Sequence, residues 1–164
     1  MASLRLFVAL WPTPATRAAA VAAQAALCWP PGARQIAAPD LHLTLAFIGA
    51  LPQEQLAHVS HAAAVPSARI QLTLDRFELW KGGTLVLRPG RVPAALVDLQ
   101  ARLAASLQAC GVPFDARPFA PHLTLGRKAQ GIAEKAVAPV PWRSTGHVLA
   151  LSAAGHYRVV ARFA

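Results

Sequence analysis

The tetrapeptide His42-Leu43-Thr44-Leu45 recurs unchanged as His122-Leu123-Thr124-Leu125, eighty positions later. Its flanks recur too, at slightly different offsets: a cysteine (Cys28 or Cys110), a proline-containing loop, an Ala-Arg pair (Ala33-Arg34 or Ala116-Arg117) and an Ala-Pro pair (Ala38-Pro39 or Ala120-Pro121). Self-similarity of this kind marks a duplicated supersecondary unit, so the chain reads as two related halves. In a strand, side chains alternate faces, which puts His42 and Thr44 on one face about 7 Å apart and sends Leu43 and Leu45 into the core. The second copy does the same with His122 and Thr124. A pseudo-twofold packing of the halves then brings both His-Thr pairs across one cleft.

Outward from the repeat, apolar periodicity and breaker residues predict alternating strands and helices. Strands are expected at Leu4 to Leu10, Leu41 to Ile48 (ended by Gly49), Ile70 to Leu79, Thr84 to Leu87, His122 to Arg127, His147 to Leu151 and Tyr157 to Phe163. Helices are expected at Ala15 to Leu27, Pro52 to Val65 and Pro93 to Ala109. Lys81-Gly82-Gly83 fits a tight hairpin, and the proline-rich stretch Ala138 to Trp142 reads as a loop. No linker separates independent domains, so residues 1–164 read as a single bilobal domain. Mixed strands and helices with hairpins indicate an α+β fold rather than a doubly wound parallel sheet.

Composition supports a globular chain: 55% of its 164 residues are apolar and 14% charged, far from a disordered composition. The Ala-rich run Ala15 to Leu27, broken by Arg17 and Gln24, is too short to span a bilayer, and the N-terminus has no basic segment leading into a long apolar run. These features predict a cytoplasmic protein with no membrane partner. Cys28 and Cys110 come without metal-ligand spacing and are read as buried apolar side chains rather than a disulfide. A net charge of +9, carried mostly by arginine, favours nucleic acid or a phosphorylated small molecule as partner.

Two imidazoles on opposite sides of a phosphorus suit acid–base chemistry, since histidine titrates near neutrality. One serves as general base for an attacking water and the other as general acid for the leaving alkoxide. Threonine hydroxyls and nearby arginine are donors for the non-bridging phosphoryl oxygens. This arrangement needs neither metal nor cofactor.

The paired HLTL strands resemble the signature of the two-histidine (2H) phosphoesterase superfamily, and within it the RNA 2′,3′-cyclic phosphodiesterases, also called 2′-5′ RNA ligases. The resemblance extends over RLFVALWP at 5–12, PDLHLTLAFIG at 39–49, FAPHLTLGR at 119–127 and a closing Gly155-His156-Tyr157. It implies two pseudo-symmetric lobes, each an antiparallel sheet with helices, with the active site in the groove between them. It also implies a monomeric enzyme that hydrolyses the 2′,3′-cyclic phosphate ends of RNA, or related nucleotides, to 2′-phosphomonoesters, with reverse 2′-5′ joining as a side activity. By position, His42 protonates the departing 3′-oxygen, His122 activates water, and Thr44 and Thr124 hold the phosphate. Phe47 and Arg127, five residues beyond each histidine, correspond to positions that contact nucleobase and phosphate. Simple alternation puts both on the face opposite the histidines, so their participation requires a strand end or bulge. The chain departs from the pattern at Ala120, where an arginine is frequent before Pro-His, and after Ser152, where an acidic residue is frequent.

Other residues carry plainer readings. His58 and His61 share a helix face without a third metal ligand and read as solvated, and His147 and His156, outside the repeat, read as local packing. Arg34 and Arg117 precede the two motifs and either present positive charge at the groove or are plain solvated arginines. Two alternatives stand beside RNA ends as substrate: a small cyclic nucleotide and a 2′-5′ linked oligonucleotide. A third reading is a non-catalytic, basic RNA-binding module.

Overall fold

The computed structural model describes residues 2–133 and 135–164. Among these, nine strands form one antiparallel sheet: β1 (Ser3–Leu10), β2 (Arg34–Gln35), β3 (Leu43–Pro52), β4 (Ile70–Trp80), β5 (Thr84–Pro89), β6 (Leu123–Arg127), β7 (Val140–Ser144), β8 (His147–Ala153) and β9 (His156–Phe163). The strand order is β7-β4-β5-β6-β3-β1-β8-β9, with β2 paired to β6. Helices α1 (Pro14–Ala25), α2 (Leu56–Ala63) and α3 (Ala94–Ala109) complete the α+β fold.

The pseudo-twofold is written into the connections. The unit β1-α1-β3 is matched by β5-α3-β6, and the two half-sheets meet where Leu43 pairs with Leu123. The leucines of both repeats enter the core: Leu43, Leu123 and Leu125 are fully buried and Leu45 is 2% exposed. Leu96, Leu99, Leu103 and Leu107 of α3, recurring at helical spacing, are fully buried in the same core.

Both repeats contain a β-bulge at their last leucine. Along β1, Val8 and Ala9 oppose Ala46 and Thr44, so Leu45 is skipped. Along β5, Leu85 and Val86 oppose Gly126 and Thr124, so Leu125 is skipped. A bulge disrupts the ladder locally, and here a helix glutamine from the opposite half donates to the carbonyl of each skipped leucine. Gln24 Nε2 of α1, itself buried, donates to the Leu125 carbonyl at 2.9 Å and to that of Ile36 at 3.0 Å. Gln100 Nε2 of α3 donates to the Leu45 carbonyl at 3.4 Å. The halves therefore brace each other at equivalent points.

Several expectations are corrected. The stretch Ala138 to Trp142 is not wholly loop: β7 runs through Pro141 and pairs with β4, with Trp142 buried. β7 ends the strand order, and proline is tolerated on such edge strands. β3 starts after His42 and continues through Gly49, whose φ of 91° accommodates a further register shift beside Ile48. The second helix begins only at Leu56, after a 3-10 turn at Gln53–Gln55. Cys28 is exposed rather than buried, and both cysteines are free. Lys81-Gly82-Gly83 forms the expected turn, with φ of 89° and 88° at its glycines.

Gln24→Ala removes a buried hydrogen bond to the Leu125 carbonyl and a part-buried one to that of Ile36, and is expected to lower stability by about 1–3 kcal/mol. Gln100→Ala, which removes a longer bond from a half-buried side chain, is expected to cost about 1 kcal/mol or less. Urea unfolding of the two variants checks the order.

Candidate active site

Each catalytic candidate sits at the mouth of its strand, where the chain turns from loop into sheet. His42 Nδ1 lies 2.7 Å from the carbonyl of Asp40, and His122 Nδ1 lies 2.7 Å from that of Ala120. A carbonyl oxygen only accepts, so Nδ1 carries the hydrogen in both rings and Nε2 is the nitrogen left for chemistry. Thr44 Oγ1 donates to His42 Nε2 at 3.0 Å. The seven residues from Leu41 to Phe47 and from Pro121 to Arg127 show the same order of burial, with His and Thr half-buried, the following pair buried and the seventh residue exposed.

That shared order is the bulge at work. The extra residue restores Phe47 and Arg127 to the histidine face, and both line a groove of about 260 Å³ together with His42, Thr44, His122 and Thr124. All six residues singled out from sequence thus converge on one site. Arg5, Phe7, Asp40 and Tyr157 also line it. Arg5 lies over the Phe47 ring at 5.5 Å from its centroid, a cation–π contact that fixes the outer wall.

The two histidines have different surroundings. His42 is packed among aromatic rings, with Phe7 at 4.7 Å, Tyr157 at 4.9 Å edge-on and Trp11 stacked at 5.7 Å. Burial, with further lowering by the nearby His122 and Arg127, takes its pKa from the ordinary 6.5 to about 4, against the Asp40 carbonyl and carboxylate, which pull it up. His122 packs on Trp80 at 4.3 Å. Its pKa is also lowered, first by burial and then by Arg88 and Arg127, with the Ala120 carbonyl and Glu78 opposing. Both rings are neutral at pH 7.

Asp40 was not singled out from sequence. Its buried carboxylate accepts from the Tyr157 backbone N–H and from His156 Nδ1, both at 2.9 Å, while its own carbonyl orients His42. His156, read as local packing, thus belongs to the scaffold of the site. The sequence signal was present in the closing Gly155-His156-Tyr157, but its partner lies 116 positions away.

The remaining candidates fall outside the groove lining. Arg117 is paired with Asp115. Arg34 is exposed on β2 and pairs across to Arg127, so it adds charge beside that residue. His58 bonds the Cys110 carbonyl at 2.8 Å, and His147 is buried between Ser67 and the Ala63 carbonyl. Among the described residues, no three His, Cys, Asp or Glu side chains are grouped to hold a metal ion, and no helix is long and apolar enough to cross a membrane.

The paired His-x-Thr strands, together with Arg5 and Arg127, line one groove. A model of the 2′-5′ RNA ligase superfamily matches residues 10–151, and the chain belongs to that superfamily. It is 35% identical over 102 residues to an RNA 2′,3′-cyclic phosphodiesterase of Escherichia coli, and 34% identical over 98 residues to one of Geobacillus stearothermophilus. The matched stretches are 61% and 56% of this chain, but 58% and 31% of those relatives' lengths. The crystal structure of E. coli LigT complexed with 3′-AMP superposes with a TM-score of 0.86 at 28% identity, covering 98% of this chain and 97% of that one. Thermus thermophilus TT0787 superposes at 0.75, with 27% identity and coverage of 97% and 96%.

Two outcomes follow from the site. Asp40→Ala strips the Tyr157 N–H of its acceptor and is expected to cost about 1–3 kcal/mol in urea unfolding, with Asp40→Asn retaining most of the stability. The lowered pKa values of His42, His122 and His147 mean that the unfolded chain binds more protons than the folded one below pH 6.5. Stability is therefore full above that pH and falls as pH drops toward about 4, where His42 titrates in the folded protein. Thermal midpoints measured across that window should decline, and less steeply in His42→Ala.

Proposed function

We propose that the protein is a phosphodiesterase that opens the 2′,3′-cyclic phosphate at RNA ends to a 2′-phosphomonoester. The observation that carries this reading is the convergence of two His-Thr pairs, each ring held by a backbone carbonyl with Nε2 left for proton transfer, in one arginine-bearing groove. The names of the curated relatives supply the substrate class.

In this mechanism the cyclic phosphate lies between the two Nε2 atoms. Thr44 and Thr124 donate to its non-bridging oxygens, and Arg127 offsets their charge. Among the described residues, His122 Nε2 has no hydrogen-bond partner, so its lone pair is available to take a proton from water as the water oxygen attacks phosphorus. His42 Nε2 carries the opposite proton. The P–O3′ bond breaks, the alkoxide takes that proton, and a 2′-phosphomonoester with a free 3′-hydroxyl remains. Thr44 Oγ1 donates to His42 Nε2; a bound phosphate gives Thr44 a better acceptor and frees the ring. Anionic phosphate also favours the imidazolium form, raising pKa values that burial had lowered. In 2′-5′ joining a 5′-hydroxyl takes the place of water: His122 accepts its proton as the 5′-oxygen attacks phosphorus, the P–O3′ bond breaks, and His42 protonates the departing 3′-oxygen.

A groove of about 260 Å³ matches a single nucleotide, so 2′,3′-cyclic mononucleotides are expected to serve as minimal substrates. Either His42→Ala or His122→Ala should lower cyclic phosphate opening by at least ~100-fold, and full activity in either variant contradicts the two-histidine mechanism. Product separation should give the 2′-phosphate. A 3′-phosphate product would reverse the assigned leaving group, and RNA binding without any turnover would favour a binding module. Because both free histidines titrate below 6.5, kcat/KM should peak below that pH, with the kcat profile displaced upward by the bound phosphate.

A further inference from the structure

A second and larger groove, of about 650 Å³, opens beyond Trp11. Arg69 just before β4, Gln71 at its start, Arg143 of β7 and Arg162 of β9 line it, and no acidic side chain does. All three arginines are exposed, and none forms a hydrogen bond or ion pair among the described residues. Unpaired positive charge gathered in a concavity attracts a polyanion.

This groove lies along the same face of β8 and β9 as the candidate active site. On β8, Ser152, Ala150 and Val148 share a face, opposite Tyr157, Val159 and Arg162 of β9. Ser152 and Tyr157 line the catalytic groove, whereas Val148 and Arg162 line the second one. Phe7, Ala9, Val148 and Ala150 form a small apolar cluster on that face, against which Trp11, Tyr157 and Val159 pack. Trp11 is the hinge point: its ring lies 13° from parallel to that of His42, and it also lines the arginine groove. An aromatic ring between a phosphoryl site and a basic channel is the arrangement that single-stranded nucleic acid uses, with bases stacking and the backbone tracking charge.

We propose that this second groove holds the single-stranded RNA immediately 5′ of the terminal cyclic phosphate, with Arg69, Arg143 and Arg162 contacting backbone phosphates and Trp11 marking the crossing point. The proposal rests on the phosphodiesterase reading above for its substrate, but its surface is separate from the reacting groups. Its consequence is a preference for oligomers: the catalytic groove accepts one nucleotide, and the arginine groove adds affinity only when a chain extends from it.

The test compares the triple variant R69A/R143A/R162A with wild type on adenosine 2′,3′-cyclic monophosphate and on an RNA of about ten nucleotides ending in the cyclic phosphate. R69K/R143K/R162K serves as the charge-retaining control. The alanine variant should lose at least ~10-fold in kcat/KM on the RNA while staying within ~2-fold on the mononucleotide, and the lysine variant should recover most of the loss. Fluorescence anisotropy with the same RNA, 5′-labelled and ending in a 2′-phosphate, should show log Kd depending on log salt with a slope smaller by about 2 in the alanine variant, for three lost single-strand phosphate contacts. RNA turnover and binding equal to wild type would overturn the proposal, as would equal losses on both substrates. If wild type turned over neither substrate, the phosphodiesterase reading would fail, and the anisotropy comparison would still decide the groove.

Discussion

The bulge at Leu45, with its twin at Leu125, is the constraint on which the rest of the site depends. A strand of strict period two cannot place His42, Thr44 and Phe47 on one face, because residues at odd separation alternate sides. One inserted residue changes the parity, and the buried pair that follows each threonine is the trace it leaves. At each bulge a helix glutamine of the opposite half, Gln24 or Gln100, donates to the carbonyl of the skipped leucine, and that of Leu125 also accepts from the Ile36 N–H at 2.8 Å. The geometry of the groove and the packing of the halves are in this way one structure: the glutamines that brace the core sit at the point where each strand turns its polar residues to the groove.

The second organising feature is electrostatic. Each histidine has its Nδ1–H committed to a carbonyl two residues back. Tautomer and ring orientation are thereby set by backbone, the least mobile partner available. Burial among Phe7, Trp11 and Tyr157 on one side, and against Trp80 on the other, lowers the pKa of both rings. Asp40 ties one of these arrangements to the closing hairpin through His156 and Tyr157. Glu78 and Arg88, an ion pair on β4 and β5, are the charged neighbours of the other.

Much of this was legible in the sequence because the repeat is exact and its alternation is short-range. His42, Thr44, His122 and Thr124 follow from four identical letters and the period of a strand. Phe47 and Arg127 were legible only conditionally, since composition cannot place a bulge, and the structure supplies one in each half. Asp40 was hidden because its partners lie in the last hairpin, and an isolated aspartate before a strand looks like an ordinary turn residue. β7 was hidden for a local reason: Pro139 and Pro141 read as loop punctuation, while the burial of Trp142 and the edge position of the strand decide otherwise. The second arginine groove draws on residues from Trp11 to Arg162 and exists only once the sheet has curled to bring its edges together.

The central claim is that the paired histidines are neutral Nδ1–H rings poised to gain a proton when a phosphoryl group enters. Nitrogen-15 NMR of the imidazoles, recorded across pH with and without 3′-AMP, measures this directly. The account predicts Nδ1-protonated neutral rings at pH 7 for His42 and His122, titration below the ordinary 6.5 in the free protein, and an upward shift at both on adding the nucleotide. Rings protonated on Nε2, titration at the ordinary value, or a nucleotide that leaves both untouched would contradict it.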